Sequence, residues 1–196
     1  MALTFVLDPL LTPALREQIV HLWTEVTNAG GAVGFVAPVT EDDVRPVAEA
    51  AFAGVERGPD RLLIGVDGEQ LAALVFLVDN RFGLKAHWRV LKRVMVLPGS
   101  QGRGYGAALL REAAAVARVM GLEALQVTLR DGHGLEGFYA KAGYRVIGRI
   151  PGALRVAAGD DRDEVVMWLD LRGPHVRGRG GDGVEAEAAQ DGFAVG

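Results

Sequence analysis

The residues with the clearest chemical potential in this chain are Gln101-Gly-Arg-Gly-Tyr-Gly106. Three alternating glycines let a backbone adopt positive φ and approach a ligand with no Cβ in the way. Leu109, Ala113, Val116, Ala117 and Met120 follow at helical spacing, so the loop opens a helix. Unpaired N–H groups at a helix start, reinforced by the helix dipole, form an anion site suited to a phosphate or pyrophosphate. The dipole supplies only about 0.3–1 kcal/mol per charge, so directed hydrogen bonds must carry much of the binding. Arg103 is expected to add a direct positive contact.

Other phosphate-binding patterns fit less well. Gly102, Gly104 and Ala107 satisfy G-x-G-x-x-A, a dinucleotide fingerprint, with Glu123 at a workable distance. That fingerprint expects a tight turn straight after a strand and further βαβ units. Here Val96 is followed by Leu97-Pro98-Gly99-Ser100, and no second parallel half is visible. A nucleotide-triphosphate loop is excluded because no Lys-Ser or Lys-Thr follows the glycines.

Bulk properties remove whole classes of function. The 196 residues suit one domain with one core. A net charge of -4 and the lack of a dense Lys/Arg run argue against nucleic-acid binding. The chain has no cysteine, which rules out disulfides, thiolate metal sites and a cysteine nucleophile. His21, His87, His133 and His175 lack metal-ligand spacing, so no metal is expected. The first residues carry no basic segment and break at Asp8-Pro9, and no apolar run approaches the ~20 residues of a membrane helix. A cytoplasmic protein is expected, with the oligomeric state, homodimer included, left open.

The loop must be held by the elements around it. Phe5–Leu7 reads as a strand, and Thr12-Pro13 opens a helix whose apolar face is Leu15, Ile19, Leu22, Trp23 and Val26. Gly30–Pro38 is a small, apolar, irregular loop. A second helix opens at Thr40 with three acids in its first turn. Strands follow at Arg61–Val66 and Leu71–Val78, joined by the hairpin signal Asp67-Gly68, and at His87–Val96. After the loop and its helix come a strand at Ala124–Leu129, a short helix at Leu135–Ala142, and strands at Tyr144–Ile150 and Glu164–Leu171. This order predicts an α/β domain over residues 1–171, with a mixed, mostly antiparallel central sheet flanked by helices. In residues 172–196, seven of 25 residues are glycine and few are bulky and apolar, so a disordered tail is expected there.

Two segments together carry a resemblance. Val96-Leu-Pro-Gly-Ser-Gln101-Gly-Arg-Gly-Tyr-Gly106 resembles the acyl-CoA loop of the GNAT N-acetyltransferase superfamily, V-x-P-x-x-[RQ]-x-x-G-x-[GA]. Phe138-Tyr-Ala-Lys-Ala-Gly143-Tyr144 resembles its second hallmark, [LF]-Y-x-x-x-G-[FY]. The resemblance is strong over Leu91–Ile150 and absent after Leu171. It implies a GNAT-type fold, acetyl-CoA as cosubstrate and a primary amine, expected to be a small molecule, as acceptor. It implies that backbone groups of Val94, Met95 and Val96 pair with the pantetheine arm. It also implies that Gln101, Gly102, Arg103, Gly104, Tyr105, Gly106 and Ala107 hold the pyrophosphate. Tyr139 matches the family's proposed general acid, which would serve a leaving thiolate whose thiol pKa is about 8.5.

The acceptor poses the harder problem. An amine of pKa about 10.4 is protonated about a thousand to one near neutral pH, a cost of about 4 kcal/mol unless a base takes the proton. Many relatives place a glutamate on the strand before the loop, and aligned by the loop that position is Val90. His87 is nearby but lies on the opposite face unless the strand bulges. Glu136 shares a helical face with Tyr139, and Asp163 and Glu164 stand near the last strand, so the base stays unassigned. Two readings of the whole remain: an acetyltransferase, or a non-enzymatic acyl-CoA-binding module on the same fold. Substrate walls are expected from Gly30–Pro38, Asp79–Ala86 and Arg155–Arg162.

Overall fold

A computed structural model describes residues 3–172. The expectation of a disordered tail falls on residues outside that range, apart from Arg172, which is ion-paired to Asp170 (2.9 Å) and Glu123 (3.5 Å). The elements run β1 (Thr4–Leu7), α1 (Pro13–Asn28), α2 (Glu41–Glu56), β2 (Arg61–Asp67), β3 (Gln70–Val78), β4 (Trp88–Val96), α3 (Tyr105–Val119), β5 (Ala124–Arg130), α4 (Leu135–Lys141), β6 (Arg145–Ala157) and β7 (Asp160–Asp170).

Local chemistry sets these boundaries. Thr12 caps α1 by accepting from the Leu15 N–H (3.2 Å), with Pro13 in the first turn. Thr40 and Asp43 form a reciprocal capping box at the start of α2, at 3.3 and 2.8 Å. These two helices pack on one sheet face through Ile19, Trp23, Phe52, Leu62, Leu74, Phe76 and Met95. The other face buries α3 and α4 through Leu109, Ala113, Leu125, Val127, Tyr139, Val165 and Met167.

The seven strands are ordered β1-β2-β3-β4-β5-β7-β6. Every neighbouring pair is antiparallel except β4–β5, which is parallel and bridged by α3 as crossover. The expected mixed, mostly antiparallel sheet is therefore present. The single parallel pair also explains why a dinucleotide pattern appeared around one βαβ unit without a second one to complete it.

The last hairpin is longer than the sequence suggests. β6 extends to Ala157 and β7 starts at Asp160, so both strands run past the ends expected at Ile150 and Glu164, and Asp160–Asp163 lie in a strand. Apolar alternation is weak there because both faces of this arm are largely exposed. Main-chain pairing and cross-strand ion pairs such as Arg155–Asp161 (2.7 Å) carry it instead.

Candidate active site

A parallel pair that separates creates the site. β4 and β5 are paired from Trp88–Ala124 to Leu91–Val127 and no further, after which β4 pairs with β3 alone. The cause lies in β4. Between Phe76–Lys92 and Leu74–Met95 it carries one residue more than its partner strand, and Arg93 takes φ 56° there. That bulge bends β4 away from β5 and opens a wedge at the carboxyl ends of the two strands. In α/β sheets such ends are where ligands bind.

The wedge exposes polar backbone. The Leu97 N–H donates to the Ala72 carbonyl of β3 (2.8 Å). Successive residues of a strand direct their polar groups to alternate edges, so Met95 also faces β3, while Val94 and Val96 face the edge that β5 has left. Their side chains pack on the α3 side, and that of Met95 is buried under α1. Gln101 Nε2 donates to the Val96 carbonyl at 3.3 Å, tying the loop back to this edge.

The loop itself forms an N–H cradle. Gly102 and Gly104 have φ 78° and 82°, and Gly104 is the N-cap of α3. The first bond of the helix runs from the Ala108 N–H to the Gly104 carbonyl (3.0 Å). Among the described residues, no protein acceptor is bonded to the amides of Gly102 through Ala107. A Cβ built at Gly102 or Gly104 meets no protein atom within 4 Å. Unpaired donors at a helix start, with no side chain over them, fit a pyrophosphate.

Two side chains of the loop reach away from it to the β2–β3 hairpin. Arg103 is paired with Asp67 of the β2–β3 hairpin (3.0 Å) and stacks on Tyr105 at 5.0 Å, so its charge is already engaged. The Tyr105 hydroxyl donates to the same Asp67 carboxylate (2.6 Å), and its ring is buried. That hydrogen bond, helped by Arg103, holds the Asp67 carboxyl below its usual range. Asp67 thereby anchors the loop, a role the hairpin signal Asp67-Gly68 did not disclose.

Gly106 serves packing rather than ligand approach. A Cβ there would lie 3.0 Å from Cζ of Phe138 and 3.7 Å from Val96. The two sequence hallmarks thus meet at this contact, with α4 laid against the first turn of α3. Gly106→Val should lower the stability of the ligand-free protein by about 1–3 kcal/mol through overpacking. Thermal unfolding without acetyl-CoA measures this, and an unchanged melting temperature would contradict the contact.

Tyr139 follows Phe138 and is buried in the α3–α4 core. Its ring makes edge contacts with Phe138 (5.1 Å) and Tyr144 (5.5 Å). Burial raises its pKa well above that of a free phenol, so the hydroxyl stays protonated at neutral pH. The neighbouring Tyr144 hydroxyl is buried with no hydrogen-bond partner among the described residues.

The candidate bases separate by position. His87 is exposed and precedes β4, and the bulge lies downstream at Arg93, so it cannot bring His87 to the face of Val90. Glu136 is ion-paired to Arg149. Asp163 accepts from the Gly152 N–H (3.0 Å) inside the hairpin. Val90, Gln126, Arg130 and Glu164 share one face, by the registers Val90–Gln126 and Arg130–Glu164. That face is the one covered by α1 and α2 over β2–β4 and left open beyond it. An open cavity of about 320 Å³ lies there, lined by Val36, Arg130, His133, Val156, Ala157, Asp160 and Arg162. Two of the three expected substrate walls, the α1–α2 loop and the β6–β7 hairpin, therefore meet around one space. Among the described residues, no acidic or histidine cluster suits a metal, and no helix is long and apolar enough to cross a membrane.

Comparison with known proteins agrees with this geometry. The model of the Acetyltransferase (GNAT) family matches residues 16–144. The Salmonella typhimurium protein yncA, solved with acetyl-CoA, superposes with TM-score 0.67 at 20% identity, covering 87% of this chain and 95% of its own. An aminoglycoside 6'-N-acetyltransferase complexed with coenzyme A gives 0.67 at 15% identity, covering 86% and 97%. An N-acetyltransferase from Staphylococcus aureus Mu50 gives 0.70 at 12% identity, covering 86% and 99%. The fold and its wedge define an acyl-CoA-dependent transferase. This chain belongs to the GNAT acetyltransferase family, and acetyl-CoA is its cosubstrate.

Proposed function

We propose that the protein transfers acetyl from acetyl-CoA to the nitrogen of a primary amine of a small molecule by direct attack, with no acyl-enzyme. The observation that carries this reading is the wedge between β4 and β5. It puts an N–H cradle on the α3 side of the sheet and an open cavity on the α1–α2 side. In this reading the amides of Gly102 through Ala107 hold the pyrophosphate. The backbone of Val94 and Val96 supplies strand-like hydrogen bonds to the pantetheine amides, and Met95 keeps β4 fixed by its burial under α1.

Tyr139 supplies the proton or hydrogen bond that the departing sulfur needs. Its raised pKa selects between these. Moving a proton from a tyrosine to a thiolate of pKa about 8.5 costs about 1.4 kcal/mol for each unit that separates them. A hydrogen bond to the sulfur achieves stabilisation without that cost, and a protonated, buried donor is suited to it. Of the acids named from sequence, Glu164 shares the face of Val90 and Arg130, which supports it as the group that takes the amine proton.

The reading is tested by acetyl-CoA-dependent thiol release over a panel of primary amines. Turnover with at least one small amine, with mass spectrometry showing one added acetyl group on nitrogen, is the expected result. Binding of acetyl-CoA with no acceptor turned over would favour the non-enzymatic module.

A further inference from the structure

The residue that makes the bulge is also an unmatched cation. Arg93 is partly buried, and its guanidinium lies 4.9 Å from the centre of the Trp23 ring. A Cβ at Gly34 would sit 2.6, 2.8 and 2.7 Å from its Cζ, Nη1 and Nη2, so the group lies flat against a glycine of the α1–α2 loop. Any side chain at Gly34 would displace it. Among the described residues Arg93 has no carboxylate partner and no hydrogen bond, whereas most other arginines of the protein are paired. A cation removed from water without a counter-charge is costly, and burial lowers its pKa accordingly. A guanidinium covered on its flat side keeps its N–H edge, the geometry that grips carboxylates and phosphonates in pairs of bonds.

The nearby cavity carries the same sign. Val36, two residues beyond Gly34, lines it together with Arg130 and Arg162. Asp160 pairs with Arg162, whereas Arg130 forms no direct ion pair among the described residues and donates to His133 Nε2 (3.1 Å), so the two arginines outnumber the one acid of the lining. His133 is kept neutral by partial burial and by these two arginines.

We propose that the acceptor is a primary amine that also carries an anionic group, carboxylate or phosphonate, and that Arg93 is the residue that selects for it. The proposal rests on the transferase reading above and names the substrate class of that site. Trp23 and Gly34 hold the guanidinium in place, and Arg130 adds to the positive potential of the cavity.

The test compares ω-aminoalkanoates and aminoalkylphosphonates with alkylamines of equal length, whose amine pKa values are close. In the wild-type protein kcat/KM should be at least about 10-fold higher for an anionic acceptor. Arg93→Gln should lower kcat/KM for that acceptor by about 10- to 100-fold while leaving the alkylamine within a few-fold and KM for acetyl-CoA unchanged. Arg93→Lys should recover part of the loss. Equal or better use of alkylamines by the wild type would overturn the proposal, whatever the variants do. So would an Arg93→Gln protein that loses both acceptor types alike, since that marks a structural role. If no acceptor is turned over, the transferase reading fails by itself. The anion site is then read from the rise in melting temperature with the same aminoalkanoates. A rise seen with the anions but not the alkylamines, and absent in Arg93→Gln, would uphold it. No rise would end it.

Discussion

Gly104→Val is expected to abolish the stabilisation that acetyl-CoA confers on the wild-type protein. A ligand present at a hundredfold excess over its dissociation constant stabilises by about 2.7 kcal/mol, a shift easily read by thermal unfolding. Gly104 is the αL N-cap of α3, with φ 82°, and its amide belongs to the unpaired set. Valine there would suffer twice. A β-branched residue is strained at positive φ by about 1–2 kcal/mol, and its side chain would project into the open space beside the cradle, where no other part of the protein lies within 4 Å and a ligand would approach. The ligand-free melting temperature should fall modestly while the acetyl-CoA shift disappears. Gly104→Ala separates the two effects, since it carries much of the strain with far less bulk. A folded Gly104→Val protein that still gains the full acetyl-CoA shift would show that the cradle is not the pyrophosphate site. Gly106→Val makes the informative contrast, because its cost should appear in the ligand-free protein through Phe138.

Tyr139→Phe is expected to lower turnover by about 10²–10³-fold, the effect of losing one hydrogen-bond donor to the departing sulfur, with acetyl-CoA affinity nearly intact. Only the hydroxyl is removed, and the ring contacts with Phe138 and Tyr144 at 5.1 and 5.5 Å remain, so the core should hold. The measurement is kcat with a saturating amine, alongside the dissociation constant of acetyl-CoA. Turnover within a few-fold of wild type would make Tyr139 a packing residue. A collapse of acetyl-CoA affinity would make it a binding residue. Tyr144→Phe is the matching control. Its hydroxyl is buried without a partner, so removing it should cost no stability and little activity.

Much of the fold is legible in the order of residues because the signals are local. Thr12-Pro13 and Thr40 with Asp43 cap their helices through atoms three residues apart, and Asp67-Gly68 closes its hairpin within a few residues. The apolar faces of α1 and α3 follow from helical periodicity alone. The boundaries that were missed lie in β6 and β7, where exposed faces leave no alternation to read and pairing is made by the main chain.

By itself the sequence determined where the N–H cradle lies, because a glycine-rich helix start needs only its own backbone to present N–H groups. It also determined that Val90 cannot act as a base, since that depends on residue type alone. The tertiary structure decided the rest. That Arg103 pairs with Asp67, 36 positions away in the chain, and that Gly106 exists for the ring of Phe138, are facts of long-range packing. The bulge at Arg93 depends on a register mismatch with β3, and no property of β4 read alone would reveal it. Arg93 shows this most clearly. In the sequence Lys92-Arg93 is a charged interruption of an apolar strand, while in the fold it is a desolvated cation between Trp23 and Gly34. Periodicity assigns a side chain to a face, but whether a counter-charge waits there is set by which distant elements the sheet brings over it.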